Sequence, residues 1–281
     1  LMPMEWPTST STRNYGRPND LAQYRQNPKS PVAPGAYTDD GQMSIAVAEA
    51  LLASRTPGTD DFIRWFLECF RRDPRPGYSR RLYAILKEVV RDPVTDRMRP
   101  WISDEDIVRF KEKVNGRSEK NGGCMRAVPI GVLPTVEEVL HVAKVQAAVT
   151  HNSPVGLLSA QAVALMAHFV LHSEDGFDRL GEFCCDHLPE FRQFLKPWEG
   201  PVQGRPGTNT AHAVFTLVTT SQNRLEVLKR AIDLGGDTDT VAAVAFGIAS
   251  IRMRDVIPDW TLGLELRDRN QEMYPGFEDF L

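Results

Sequence analysis

The chain has 281 residues, with 33 Lys and Arg against 37 Asp and Glu for a net charge of −4, a balance that argues against a nucleic-acid coat, whose footprint is basic. Apolar residues make up 42% of the sequence and charged residues 25%, the composition of an ordinary globular chain long enough to bury a large core without staples. No apolar run approaches the roughly 20 residues of a membrane span, and Cys69, Cys124, Cys184 and Cys185, which lack paired zinc spacing, read as free thiols of a reducing, cytoplasmic setting.

The first 36 residues are polar and punctuated by Pro3, Pro7, Pro18, Pro28, Pro31 and Pro34. They predict an extended segment packed on a single domain spanning 1–281, and they lack the basic start and apolar stretch of a secretory signal. From Thr38 onward apolar residues recur at three and four, which predicts helices. Ile45, Ala48 and Leu52 mark the first; Phe62, Trp65, Phe66, Cys69 and Phe70 mark the next, entered through Asp60 and Asp61. Leu82, Ile85, Leu86 and Val89 mark a third, and Ile107 with Phe110 a short fourth capped by Ser103.

Thr135-Val136-Glu137-Glu138 reads as a capping box ahead of Val139, Val142 and Ala143. Ser153-Pro154 opens the longest apolar stretch, to Leu171, apolar nearly all round as a central helix must be. Further helices are expected over about 177–187, 209–220, 223–233 and 240–253, with a Pro- and Gly-bearing loop over 200–208. No strand alternation of useful length occurs, so the expected fold is all-α, a compact multi-helix bundle.

Two acidic clusters each stand at the start of an apolar helix: Thr38-Asp39-Asp40 and Asp237-Thr238-Asp239-Thr240. Such residues are favoured helix caps, yet one cap needs one of them. Crowded like charges raise the energy of the folded state unless a partner neutralises them. Carboxylate and hydroxyl oxygens suit a hard cation such as Mg²⁺, Mn²⁺ or Ca²⁺. Spacing alone leaves caps and a shared metal site both open.

The glycine-bearing stretch Gly116 to Arg126 is either a turn or a cradle of backbone N–H groups for a diphosphate. His151 lies at a helix entrance. His168 and His172 have the i,i+4 spacing of metal ligands, but in an apolar helix without a carboxylate they read as packing.

Taken together and in this order, Tyr37-Thr38-Asp39-Asp40, Asn121-Gly122-Gly123-Cys124-Met125-Arg126, Thr150-His151 and Leu234-Gly235-Gly236-Asp237-Thr238-Asp239-Thr240-Val241-Ala242 resemble the ADP-ribosylglycohydrolase family. The resemblance implies a compact all-α fold with two Mg²⁺ (or Mn²⁺) ions at the base of a cleft. Thr38, Asp39, Asp40, Asp237, Asp239 and Thr240 would be their ligands. It places Ser118, Asn121, Gly122 and Gly123 at the diphosphate and neighbouring ribose, and His151 at the ribose-phosphate region. Glu5, in Met2-Pro3-Met4-Glu5, would be the mobile acid facing the scissile bond, and Asp39, Asp40 and Asp239 would share the catalytic work.

The implied reaction is Mg²⁺-dependent hydrolysis of the glycosidic bond joining ADP-ribose to a protein or small-molecule acceptor, without membrane or direct nucleic-acid binding. An alternative is an ADP-ribose-binding or structural member without turnover. It is motivated by Gly41, where family members usually place Thr, and by a chain that opens at Leu1 without the family's leading Gly-Asp helix.

Overall fold

The computed structural model describes Leu21 and residues 32–255. Glu5 and most of the proline-punctuated first segment lie outside the described residues. Helices α1 (Asp39–Ala53), α2 (Thr59–Arg72), α3 (Arg80–Val89) and α4 (Asp104–Lys113) form the first half. They are followed by two 3₁₀ turns, Asn121–Gly123 and Val128–Val132, then α5 (Val136–His151) and α6 (Pro154–His172). Helices α7 (Leu180–His187), α8 (Gly207–Thr220), α9 (Arg224–Leu234) and α10 (Thr238–Arg252) complete the second half. Among the described residues no strand forms; the extended contacts are isolated bridges such as Arg117–His151 and Val202–Gly236.

The local chemistry explains the boundaries. Helix α2 buries Phe62, Ile63, Phe66, Leu67 and Phe70 on one stripe, each side chain contributing about 1.5–3 kcal/mol by leaving water. Its first turn is held by the Asp61 carboxylate, which accepts the Gly58 N–H at 2.8 Å. Ser103 and Asp106 cap α4 reciprocally, the Ser103 hydroxyl accepting from the Asp106 N–H and the Asp106 carboxylate from the Ser103 N–H.

The box expected at Thr135 forms by half. Thr135 Oγ1 accepts the Glu138 N–H at 3.2 Å, while the Glu138 carboxylate accepts the Thr135 hydroxyl at 3.3 Å and Arg55 Nε and Nη2 at 3.0 Å and 3.2 Å in place of the Thr135 N–H. A charged donor outcompetes a backbone N–H for that carboxylate.

Helix α6 is the axis of the molecule. Ala160, Ala162, Ala164 and Ala167 are fully or almost fully buried; such small side chains let neighbours approach closely, and α5, α8 and α10 all pack against it. At 19 residues it is long and apolar enough to cross a membrane by length and composition, which corrects the expectation that no apolar run comes close. Here it serves as the core, with Leu165, Met166 and Phe169 sealed among the other helices. His168, on the same helix, lies against the Gly131 carbonyl at 3.3 Å and the His172 ring at 4.5 Å, a packing role. All four cysteines are free thiols. Helices α1 and α10, which begin with the two acidic clusters, also pack together, and this contact places the site.

Candidate active site

A cavity of about 800 Å³ opens where α1 and α10 begin, lined by Asp39, Asp40, Asp237, Asp239 and Thr240. The two clusters, about 200 positions apart in sequence, therefore face the same space. Capping does not account for them. Thr38 and Asp237 occupy the N-cap positions of α1 and α10, and neither side chain makes a capping hydrogen bond. By contrast, Ser79, Ser103, Thr135, Ser153 and Asn223 each cap their helix with one. The Asp239 carboxyl is pushed well above the usual carboxylate range by desolvation, by the charges of Asp40 and Asp237, and by a hydrogen bond with Asp237. Asp40, from one helix start, and Asp237, from the other, thus both act on Asp239.

The glycines before Asp237 set its position. Gly235 and Gly236 have φ of +74° and +85°, values that L side chains adopt only under strain. This conformation draws Val202 alongside: the Val202 N–H donates to Gly235 O at 2.9 Å, and the Asp237 N–H to Val202 O at 2.8 Å. A Cβ on Gly236 would stand 2.7 Å from the Val202 carbonyl carbon and nearer still to its oxygen. The 200–208 loop is thereby pinned beside the acidic floor.

On the other side, Tyr37 and Gln42 anchor the start of α1. Tyr37 donates to Asp73 Oδ2 at 2.6 Å beneath the Arg75 guanidinium. Gln42 donates to the Asp73 carbonyl at 2.6 Å and accepts from the Tyr78 hydroxyl at 2.7 Å.

Asn121 joins the glycine stretch to this floor. Its backbone N–H donates to Gly204 O at 2.9 Å, and its side chain donates to Asp237 Oδ2 at 2.8 Å and Thr210 Oγ1 at 3.2 Å. The side chain therefore orients an acidic residue as well as lining the cleft. Gly122 lies flat against His151, and a Cβ there would meet the imidazole Cε1 at 2.7 Å. Ser118 is tied to the His151 segment by its N–H to Thr150 O at 3.3 Å and by its carbonyl, which accepts the Ser153 hydroxyl at 2.9 Å.

His151 is buried, and desolvation together with the cationic Arg126 and Lys120 lowers its pKa to about 3; the ring is neutral at physiological pH. Arg126, with no exposed surface, stacks on Phe66 at 4.5 Å. It donates to Gln146 Oε1 at 2.7 Å, Gln146 O at 3.1 Å and Thr150 Oγ1 at 2.9 Å. Thr150 Oγ1 in turn lies 2.7 Å from His151 Nδ1.

The floor is acidic and the mouth basic. Arg81, Arg117, Lys120 and Arg205 are exposed around the same cavity, with Arg205 held by Glu119 at 2.7 Å. The oxygen-only set of Thr38, Asp39, Asp40, Asp237, Asp239 and Thr240 fits a hard divalent cation in kind. As the side chains stand, no group of three or more His, Cys, Asp or Glu among the described residues is gathered tightly enough to hold one.

Ser118, Asn121, Gly122 and His151 line the cavity. Gly123 is buried behind the wall, against Ala147 and the His151 Cβ. Tyr78, Arg126 and Thr150 also reach the cavity, and the sequence reading gave them no role. Arg126 and Thr150 stood inside the quoted motifs, so their place was visible; their contacts were not.

A family model described as ADP-ribosylglycohydrolase matches residues 2–277. The chain is 25% identical to the ADP-ribosylhydrolase ARH3 of Gallus gallus over 288 residues, covering 85% of this chain and 76% of that protein. It is 24% identical to the ADP-ribosylhydrolase ARH3 of Homo sapiens over 261 residues, covering 76% and 69%. Among solved structures, an ADP-ribosylglycohydrolase-related protein complex has the same fold at a TM-score of 0.66 and 20% identity, covering 97% of this chain and 87% of the other.

Proposed function

Because the chain belongs to the ADP-ribosylglycohydrolase family, we propose that it is a Mg²⁺- or Mn²⁺-dependent hydrolase that releases ADP-ribose from an ADP-ribosylated protein or small molecule. The observation that carries this reading is the meeting of Asp39 and Asp40 with Asp237 and Asp239 in a cavity that Asn121, Gly122 and His151 also line.

Cleavage at the anomeric carbon develops positive charge on the ribose. An acidic floor stabilises that charge through space, and a basic mouth receives the diphosphate. Thr38, Asp39, Asp40, Asp237, Asp239 and Thr240 are the residues that would hold two divalent cations. When bound, these supply Lewis-acid charge at the ribose hydroxyls and a lowered pKa for the attacking water.

The chain's own groups do the rest. The Asn121 amide steers Asp237 through Oδ2, and carboxylates of the floor accept the proton that water gives up. The neutral His151 offers a ring nitrogen to the ribose-phosphate region without adding charge. Ser118, Asn121 and Gly122 present short, polar groups to the diphosphate, with Gly123 packed behind them. Glu5, outside the described residues, is proposed as the acid that protonates the leaving group.

The test is incubation of the full chain with arginine- and serine-linked ADP-ribosylated substrates, with Mg²⁺ or EDTA. Free ADP-ribose is expected only with the metal and is expected to vanish in Asp237→Ala. Binding of ADP-ribose without release would favour the non-catalytic alternative. Absence of both binding and release would overturn the reading.

A further inference from the structure

Arg126 is an unusual residue to find sealed beneath a cleft: it is fully buried, its guanidinium donating to Gln146 and Thr150 and lying on the Phe66 face. Its Nη1 makes no hydrogen bond among the described residues. The chemistry of its contact with Thr150 has a definite direction. A guanidinium only donates, so Thr150 Oγ1 accepts from Nη2 at 2.9 Å. The hydroxyl then has one proton to give, and its remaining partner is His151 Nδ1 at 2.7 Å. If Nδ1 carried the ring proton instead, Thr150 Oγ1 would accept from both Arg126 and His151, and its own buried proton would lose the acceptor that His151 provides.

A neutral imidazole holds one proton on one nitrogen, and the partner of the first nitrogen decides which. With Nδ1 accepting, the proton sits on Nε2. The Cε1–Nε2 edge is the one that meets Gly122 at the cavity wall, where a Cβ would stand 3.0 Å from Nε2. Burial and the nearby Arg126 and Lys120 charges keep the ring neutral, so the proton on Nε2 is the only one it carries.

We propose that Arg126 and Thr150 form a positioning relay that fixes His151 as the Nε2–H tautomer, a neutral hydrogen-bond donor aimed into the cleft at an acceptor oxygen of the ligand. The ligand half of this inference rests on the ADP-ribose reading above; the tautomer half concerns the protein alone. Removing the Thr150 hydroxyl would release the ring to either tautomer without emptying the pocket.

The experiment is ¹⁵N NMR of histidine-labelled full-length protein at pH 7.5, with the His151 signals assigned by their loss in His151→Gln. The parent is expected to show an unprotonated, hydrogen-bonded Nδ1 and a protonated Nε2. Thr150→Val is expected to shift the ring toward a tautomer mixture and to weaken ADP-ribose binding about tenfold, the worth of one hydrogen bond to a charged oxygen. Thr150→Ser, which keeps the hydroxyl, should retain both, and the parent spectrum by itself decides the tautomer if the valine variant fails to fold. A protonated Nδ1 in the parent, or unchanged ring shifts in a folded Thr150→Val, would overturn the relay. An intact relay in a protein that does not bind ADP-ribose would instead overturn the functional reading.

Discussion

Gly236→Ala tests how the acidic floor is held. At φ +85° an alanine costs about 1–2 kcal/mol in backbone strain. Its Cβ would also lie 2.7 Å and 2.8 Å from the Val202 carbonyl carbon and nitrogen. These are backbone atoms in a pinned loop, so relief requires separating the pair. That separation breaks Val202 N–H to Gly235 O and Asp237 N–H to Val202 O, at 2.9 Å and 2.8 Å, each worth about 1 kcal/mol net. The expected loss is about 3 kcal/mol, measured by urea unfolding, or a fall in melting temperature of roughly 6–10 °C for a chain of this size. Because Asp237 moves with its backbone, release of ADP-ribose should fall about a hundredfold or more at a temperature where the variant is still folded. A variant with parental stability would refute the contact; a destabilised variant with full activity would refute the placement of Asp237 in the machinery.

Mg²⁺ at a hundredfold its dissociation constant should stabilise the chain by about 2.7 kcal/mol, read as a rise in melting temperature that EDTA abolishes and Asp237→Asn reduces; an unchanged melting temperature would count against a metal site. Asn121→Ala removes the amide that donates to Asp237 Oδ2 at 2.8 Å and should weaken metal affinity about 10–100-fold, measured as a shift in the Mg²⁺ dependence of ADP-ribose release. His151 supplies a pH signature. Its folded pKa of about 3 lies below the unfolded value of about 6.5, so the unfolded chain binds the proton first and stability is lost as pH falls below 6.5. Between pH 7.5 and 5 the parent should lose about 2 kcal/mol more than His151→Gln; parallel pH profiles of unfolding would disprove the burial of a neutral ring.

The helices were legible because their signals are local. The apolar stripe of Phe62, Phe66 and Phe70 and the Ser103 cap act over three or four residues, and they place α2 and α4 as Thr59–Arg72 and Asp104–Lys113. Local reasoning failed where a distant group competed. Glu138 has the spacing for a capping box but answers to Arg55, 83 positions away. The segment that follows the glycine stretch, Val128–Val132, folds as a 3₁₀ turn packed against α6, a shape set by that distant helix.

The site divides along the same line. The sequence showed Asp39, Asp40, Asp237 and Asp239 as two acidic clusters at helix starts, and the family resemblance of the motifs added roles for Asn121 and His151. Whether those carboxylates were caps or a shared floor depended on the packing of α1 against α10, and so on contacts far apart in the chain. The hydrogen-bond direction from Arg126 through Thr150 to His151, and the steering of Asp237 by Asn121, arise from buried polar groups finding partners wherever the fold brings them. A sequence specifies which donors and acceptors exist; only the closed tertiary structure, which denies them water, decides how they pair.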